Sequence, residues 1–287
     1  LLTNIYSSKD SHIIPIFDKG IIRERYGNYK FDDKGNYKFP INEQLEKRLL
    51  ADTMKDFISY AVGCMFGRYA LDKPGLILAN QGETIVDYLQ QIPSPVFMPD
   101  KDNILPILED DWFSDDLANR FNVFLKVCFG KDQFSLNHNF MEKALGKPLR
   151  TYFLKDFYVE HTKRYKKRPI YWLISSPQGS FNALIYVHRY TPDTLSLILN
   201  GYLKEYIFKL RARVKELQKQ SENPNLSLRE KMFIQKEINR RNGMLMELEN
   251  WSNNEFYQLA SQRIELDLDD GIKVNYLKFG NLLKPIP

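Results

Sequence analysis

Residues 161–190 read HTKRYKKRPIYWLISSPQGSFNALIYVHRY, and the interpretation of the whole chain turns on them. Two runs within it, 170–176 and 181–187, are dense in β-branched and aromatic residues, and Pro177, Gln178 and Gly179 supply a tight turn between them. The pattern predicts a β-hairpin. Immediately before it, Lys163, Arg164, Lys166, Lys167 and Arg168 crowd positive charge against Pro169. Cations that hold phosphates would then lie beside a strand pair whose turn and outward side chains reach a nucleic-acid groove. The competing interpretation is a solvated basic flank beside a buried hairpin.

Outward from the hairpin, helical periodicity dominates. On the C-terminal side, Thr191-Pro192-Asp193 is a helix start, and Leu203, Tyr206, Ile207, Leu210, Val214 and Leu217 form one apolar stripe. Asn223-Pro224 breaks it, and Ser227-Leu228-Arg229-Glu230 is a capping box for a second helix with its stripe at Ile234, Ile238, Leu245 and Leu248. The two predict an antiparallel helical hairpin. Residues 264–274 read as a strand and turn around Asp269-Asp270-Gly271, followed by a Pro-containing tail.

On the N-terminal side, Met54, Phe57, Ile58, Ala61, Val62, Met65, Phe66 and Tyr69 recur at helical spacing. Gly63 and Gly67, four apart on that stripe, predict a close approach by another part of the chain. Residues 72–99 are punctuated by Gly and Pro and predict a loop-rich wrap. The acids Glu109, Asp110, Asp111, Asp115 and Asp116 open a helix through Leu117, Phe121, Phe124, Leu125 and Phe129, where negative charge suits the helix dipole. A further helix runs from Phe134 to Leu145 and stops at Gly146-Lys147-Pro148. The first 45 residues carry short apolar bursts, 13–17 and 21–22, and turns such as 32–36, which predict short strands or an extended arm. Ile104-Leu105-Pro106-Ile107 echoes Ile13-Ile14-Pro15-Ile16, but two matches make no repeat.

The fold class expected is α+β: a helix-rich body, a β-hairpin-containing recognition region and a long antiparallel helical hairpin. The division is 1–45 arm, 46–160 helical body, 161–190 basic hairpin region, 191–260 helical hairpin and 261–287 C-terminal strand and tail.

With 287 residues, 43% hydrophobic and 14% aromatic, the chain can bury a large core, and a net charge of +5 favours an acidic partner. Between 201 and 250 there are 11 Lys or Arg against 7 Asp or Glu, so the helical arm is basic. No apolar run approaches the roughly 20 residues that cross a bilayer, and no signal-peptide pattern opens the chain. Cys64 and Cys128, far apart in apolar surroundings, read as free thiols of a cytoplasmic protein. The first residue, Leu1, is not Met, which leads to the expectation of a piece from within a longer protein.

Reaction centres are missing from the sequence. It contains no G-x-G-x-x-G, no phosphate-loop motif, no H-E-x-x-H and no G-x-S-x-G. Pro99-Asp100 would suit a metal-dependent nuclease, but no acid-x-Lys triplet follows. His12, His138, His161 and His188 lack ligand spacing, so no metal site is expected.

Three segments, ISYAVGCMFGRYALDKPGLILAN at 58–80, YKKRPIYWLISSPQGSFNALIYVHRY at 165–190 and LDLDDGIKVN at 266–275, resemble the C-terminal half of the PglX family. These are adenine-specific DNA methyltransferases of BREX phage-defence systems, related to single-chain restriction-modification enzymes. Family members hold S-adenosylmethionine on a Gly-rich loop and carry an Asn-Pro-Pro-Tyr catalytic motif, neither of which occurs here. The resemblance therefore implies no catalytic residue and no cofactor in this chain, with S-adenosylmethionine and the chemistry assigned to an upstream domain. It implies a target-recognition role on double-stranded DNA, inactive alone, in company with that domain and with other defence subunits. The candidate phosphate contacts are Lys163, Arg164, Lys166, Lys167 and Arg168, and the candidate base-edge or backbone contacts are Gln178, Ser180, Asn182 and Arg189. The alternative function is a protein-docking module built on the helical hairpin.

Overall fold

The computed structural model describes residues 30–31, 37–38 and 43–286. The apolar bursts of the expected arm at 13–17 and 21–22 lie outside the described residues. Of that region the structure gives a two-residue antiparallel pair, β1 (Lys30–Phe31) and β2 (Tyr37–Lys38).

The predicted hairpin forms as β4 (Tyr171–Ser175) and β5 (Asn182–Tyr186), antiparallel with Tyr171 opposite Tyr186 and Ser175 opposite Asn182. A third strand, β3 (Ile104–Pro106), pairs antiparallel with the other side of β5, so β5 is central and the order is β3-β5-β4. The free edge of β4 is closed by the C-terminal segment: Ser175 N–H donates to Leu282 and Lys284 N–H to Leu173, at 2.9 and 2.8 Å.

Every residue of the three strands is buried. Alternation along a strand sends successive side chains to opposite faces, and here both faces are apolar. Tyr171, Leu173, Leu184 and Tyr186 enter one core with α1 (Glu43–Met65), α3 (Leu117–Phe129) and α4 (Phe134–Leu145). Trp172, Ile174, Ala183 and Ile185 enter a second core with α6 (194–221) and α7 (228–261). The sheet is thus the middle layer between two helical layers. It is an α+β fold in which the hairpin is interior, so the outward strand side chains expected from the sequence are absent.

α1 ends where the sequence turns left-handed. Gly67, at φ 76°, donates to Cys64, and Arg68 donates to Gly63, a paired C-terminal cap in which a Cβ at position 67 would meet Leu78 at 3.0 Å. Tyr69, read from periodicity as part of the helix, instead folds back so that its ring would lie 2.4 Å from a Cβ at Gly63. The two glycines do serve close packing, with an aromatic ring and a loop as the neighbours. A short helix, α2 (Ile85–Gln91), capped by Thr84 and Asp87, interrupts the loop-rich wrap.

α5 spans 149–164 and contains a π-helical turn at Phe153–Phe157. α6 and α7 contain similar turns at Ile198–Leu203 and Ser252–Phe256 and together make the antiparallel helical hairpin. The capping box read at Ser227 and Glu230 is present, as is the Asp116 cap on α3. The strand expected at 264–274 does not form. Asp267 accepts Asp269 N–H, a 3-10 turn follows at Leu268–Asp270, and α8 (Gly271–Leu277) begins. Asn275, which is buried, donates from Nδ2 to the Gly271 carbonyl at 3.1 Å and to that of Asp267, folding the segment onto itself. Both cysteines are free, Cys64 buried and Cys128 half-buried.

Candidate nucleic-acid interface

The basic run is not one surface. Lys163 and Arg164 are the last turn of α5 and line a hollow with Asp52, Asp56 and Glu160, where Arg164 is ion-paired to Asp56. Then the chain reverses. Lys166 N–H donates to Lys163 and Lys167 N–H to Thr162, the hydrogen bonds of a helix cap that ordinarily uses glycine, and both lysines have positive φ, 50° and 62°. This left-handed bend swings Lys166, Lys167 and Arg168 away from the acidic hollow and onto a different cleft. Non-glycine residues held in this region cost of order 1 kcal/mol each, and such strain gathers at functional sites.

The cleft has a volume of about 890 Å³. One wall is 166–170, the other is 268–275, and Trp172, Val187 and His188 of the hairpin region lie between. Lys166, Lys167, Arg168 and Lys273 are exposed on it, and among the described residues none of the four forms an ion pair. The lining acid, Asp270, faces Lys278 at 3.9 Å. Ile170, Leu268, Ile272 and Ile286 give the interior an apolar character. Burial, then the neighbouring Arg68 charge, lowers the pKa of His188, so its imidazole is neutral at pH 7.

Hydrogen bonds from residues outside the lining brace the segments that form it. Arg68 donates to the Tyr186 hydroxyl at 2.9 Å, and that hydroxyl donates to the Leu78 carbonyl at 2.8 Å. Gly82 N–H donates to His188. The amide of Gln81 reaches across to the far wall, donating to Leu266 and accepting from Leu268 N–H. His161 is structural: its Nε2 accepts Tyr171 N–H at 3.1 Å, and burial presses its pKa down to about 3.

The remaining candidates fall elsewhere. Gln178 is exposed at the hairpin turn, and its backbone N–H donates to Glu247 of α7 at 2.7 Å; the Ser180 hydroxyl bonds the same carboxylate. The turn is therefore docked on the helical hairpin. Asn182 is buried, with Nδ2 on the Gly179 carbonyl. Arg189 is 6% exposed, and its guanidinium is shared among the carbonyls of Phe66, Asp100 and Lys101, which makes it an internal tie. Sequence reasoning passed over Lys273 and Gln81; the first lies three residues beyond Asp270, and its side of the cleft is set only once α8 forms.

Among the described residues no group of His, Cys, Asp or Glu could hold a metal ion, and no helix is long and apolar enough to cross a membrane.

Relatives of this chain among known proteins are adenine-specific methyltransferases. The chain is 34% identical over 260 residues to the adenine-specific methyltransferase BrxX of Escherichia coli O9:H4 (strain HS), covering 85% of this chain and 21% of that protein. It is 36% identical over 236 residues to the adenine-specific methyltransferase PglX of Lacticaseibacillus casei (strain Zhang), covering 78% and 19%. The chain is thus related to methyltransferases of the BrxX and PglX kind and spans about a fifth of their length. No family model matches it.

Proposed function

We propose that this chain is the DNA-gripping, target-recognition part of a site-specific N6-adenine DNA methyltransferase of a phage-defence system. S-adenosylmethionine and the catalytic motif would belong to the rest of such an enzyme. The observation that carries the reading is the set of four cations, Lys166, Lys167, Arg168 and Lys273, that share one cleft and form no ion pair among the described residues. Unpaired cations, three of them at or beside a strained turn, suit phosphate oxygens, and the relatives are named as adenine-specific.

The test is electrophoretic shift of a labelled duplex pool at two salt concentrations, with sequencing of the bound fraction. Salt-sensitive binding with an enriched adenine-containing motif is expected. Replacing Lys166 and Lys167 together with Ala should weaken all duplexes alike and lower the salt slope by roughly 2, one counterion per lost phosphate contact. Unchanged, salt-independent binding would remove the reading. The docking alternative has one observation in its favour: Leu228, Met232 and Phe233 of α7 are exposed at 76%, 65% and 67%. Replacing these three with Ser should leave duplex binding intact if the cleft is the DNA site.

A further inference from the structure

The cleft is concave, and its shape fits a different occupant from a paired duplex. A groove is read by something convex that enters it, whereas here the cations stand around a hollow of about 890 Å³, within the size range of ligand sites that enclose their guest. Its accessible interior is aliphatic, from Ile170, Leu268, Ile272 and Ile286. A base inside a duplex presents only its edge and its neighbours cover its faces, so it gains nothing from such walls. An unpaired base offers both faces. Phosphate at the cationic mouth and base between apolar walls match the two parts of one nucleotide. The far wall also carries Asn275, whose Oδ1 is buried without a hydrogen-bond partner, and between the walls His188 has a likewise unpartnered Nδ1.

We infer that this cleft binds a single unpaired nucleotide, with its phosphate held by Lys166, Lys167, Arg168 and Lys273 and its base against Ile170 and Ile272. The inference rests on the DNA-gripping reading and narrows what that grip takes hold of. Its source is either a strand from which a nucleotide has been extruded or a free mononucleotide, and the chemistry recognised is the same.

The experiment uses the 287-residue chain and fluorescence anisotropy with end-labelled duplexes, fully paired or carrying one central unpaired nucleotide, and with dAMP as competitor. The unpaired duplex should bind about fivefold more tightly than the paired one, the order expected for burying roughly 40 Å² of apolar surface against aliphatic walls. Ile272→Trp fills the cleft and keeps every cation; it should abolish that preference. Lys273→Glu, at an exposed position, should weaken both duplexes. Equal affinity for the two duplexes, with Ile272→Trp indistinguishable from the parent and no competition by dAMP, would overturn the inference while leaving the DNA grip standing. Binding of dAMP alone, lost in Ile272→Trp, would support the cleft as a free-nucleotide site and overturn the duplex reading. Failure to bind any of the three would overturn both.

Discussion

Gln81 and Leu268 lie on opposite sides of the sequence and are joined by a hydrogen bond of 2.8 Å, the Leu268 N–H donating to the Gln81 Oε1. The same side chain donates to the Leu266 carbonyl at 2.6 Å, so one amide pairs with the backbone as a neighbouring strand would. This contact, the internal bonds of Asn275 and the Tyr276 contacts with Tyr158 and Trp172 hold the wall that carries Lys273.

Gln81→Ala should loosen that wall without unfolding the protein. Two solvent-accessible hydrogen bonds contribute about 1 kcal/mol each at most, so global stability should fall by less than about 2 kcal/mol. Hydrogen exchange at residues 266–275 should nonetheless accelerate strongly, and duplex affinity should drop. Unaltered exchange there would show that the segment's own turn and the Tyr276 contacts with Tyr158, Lys284 and Trp172 hold it without Gln81.

Lys166→Gly should separate stability from function. The position has φ 50° and sits where a helix cap favours glycine, so removing the Cβ relieves of order 1 kcal/mol of strain. The melting temperature should rise by about 1–2 °C for a chain of 287 residues, while DNA affinity falls through loss of one cation. A lower melting temperature would mean that the lysine stem packs in a way that outweighs the strain.

Asp100 should give the protein a measurable pH signature. Its pKa is raised to about 7, first by burial and then by the hydrogen bond and charge of Asp102, against which the Ile104 N–H and Arg120 pull down. The folded protein thus holds this proton more tightly than the unfolded chain, whose carboxyl titrates near 3.9. The contribution to stability is full below about pH 4 and is lost as pH rises through about 7. Asp100→Asn keeps the neutral form at all pH and can still accept from Ile104 N–H. Its stability relative to the parent should therefore improve between pH 5 and pH 8 in denaturant titrations, and a pH-independent difference would contradict the assignment. His161 acts in the opposite sense, since its neutral form supports the fold above about pH 6.5 and that support fades as pH falls toward 3. It is present in both proteins and cancels in the comparison.

Local chemistry made much of this fold legible. Ser227 with Glu230, Asp116 before α3 and Gly146 after α4, at φ 69°, are short-range signals, and each element begins or stops where they stand. The hairpin strands were legible from their residue types, but their burial on both faces was not, because that depends on which helices cover them. β3 is three residues long and contains Pro106, so nothing local marks it; it exists because β5 has a free side. The candidate site was only half visible. The basic run is plain in the sequence, but two lysines occupy the cap position where glycine would have announced a turn, so its division between two hollows was hidden. Arg189 and Asn182 look like groove readers by type and prove to be interior ties, a distinction that burial alone decides.

The closure of β4 by Leu282 and Lys284 sets a schedule for folding. Tyr171–Ser175 leaves the ribosome with one partner, β5, close behind, yet its other edge pairs with residues about 110 positions later, after both helices of the arm have been made. Throughout that interval the nascent sheet presents an apolar strand with unsatisfied backbone groups, the kind of edge that recruits foreign strands. That edge is covered only once residues 282–284 are in place, which makes the interval before their synthesis the one in which foreign strands have access to it.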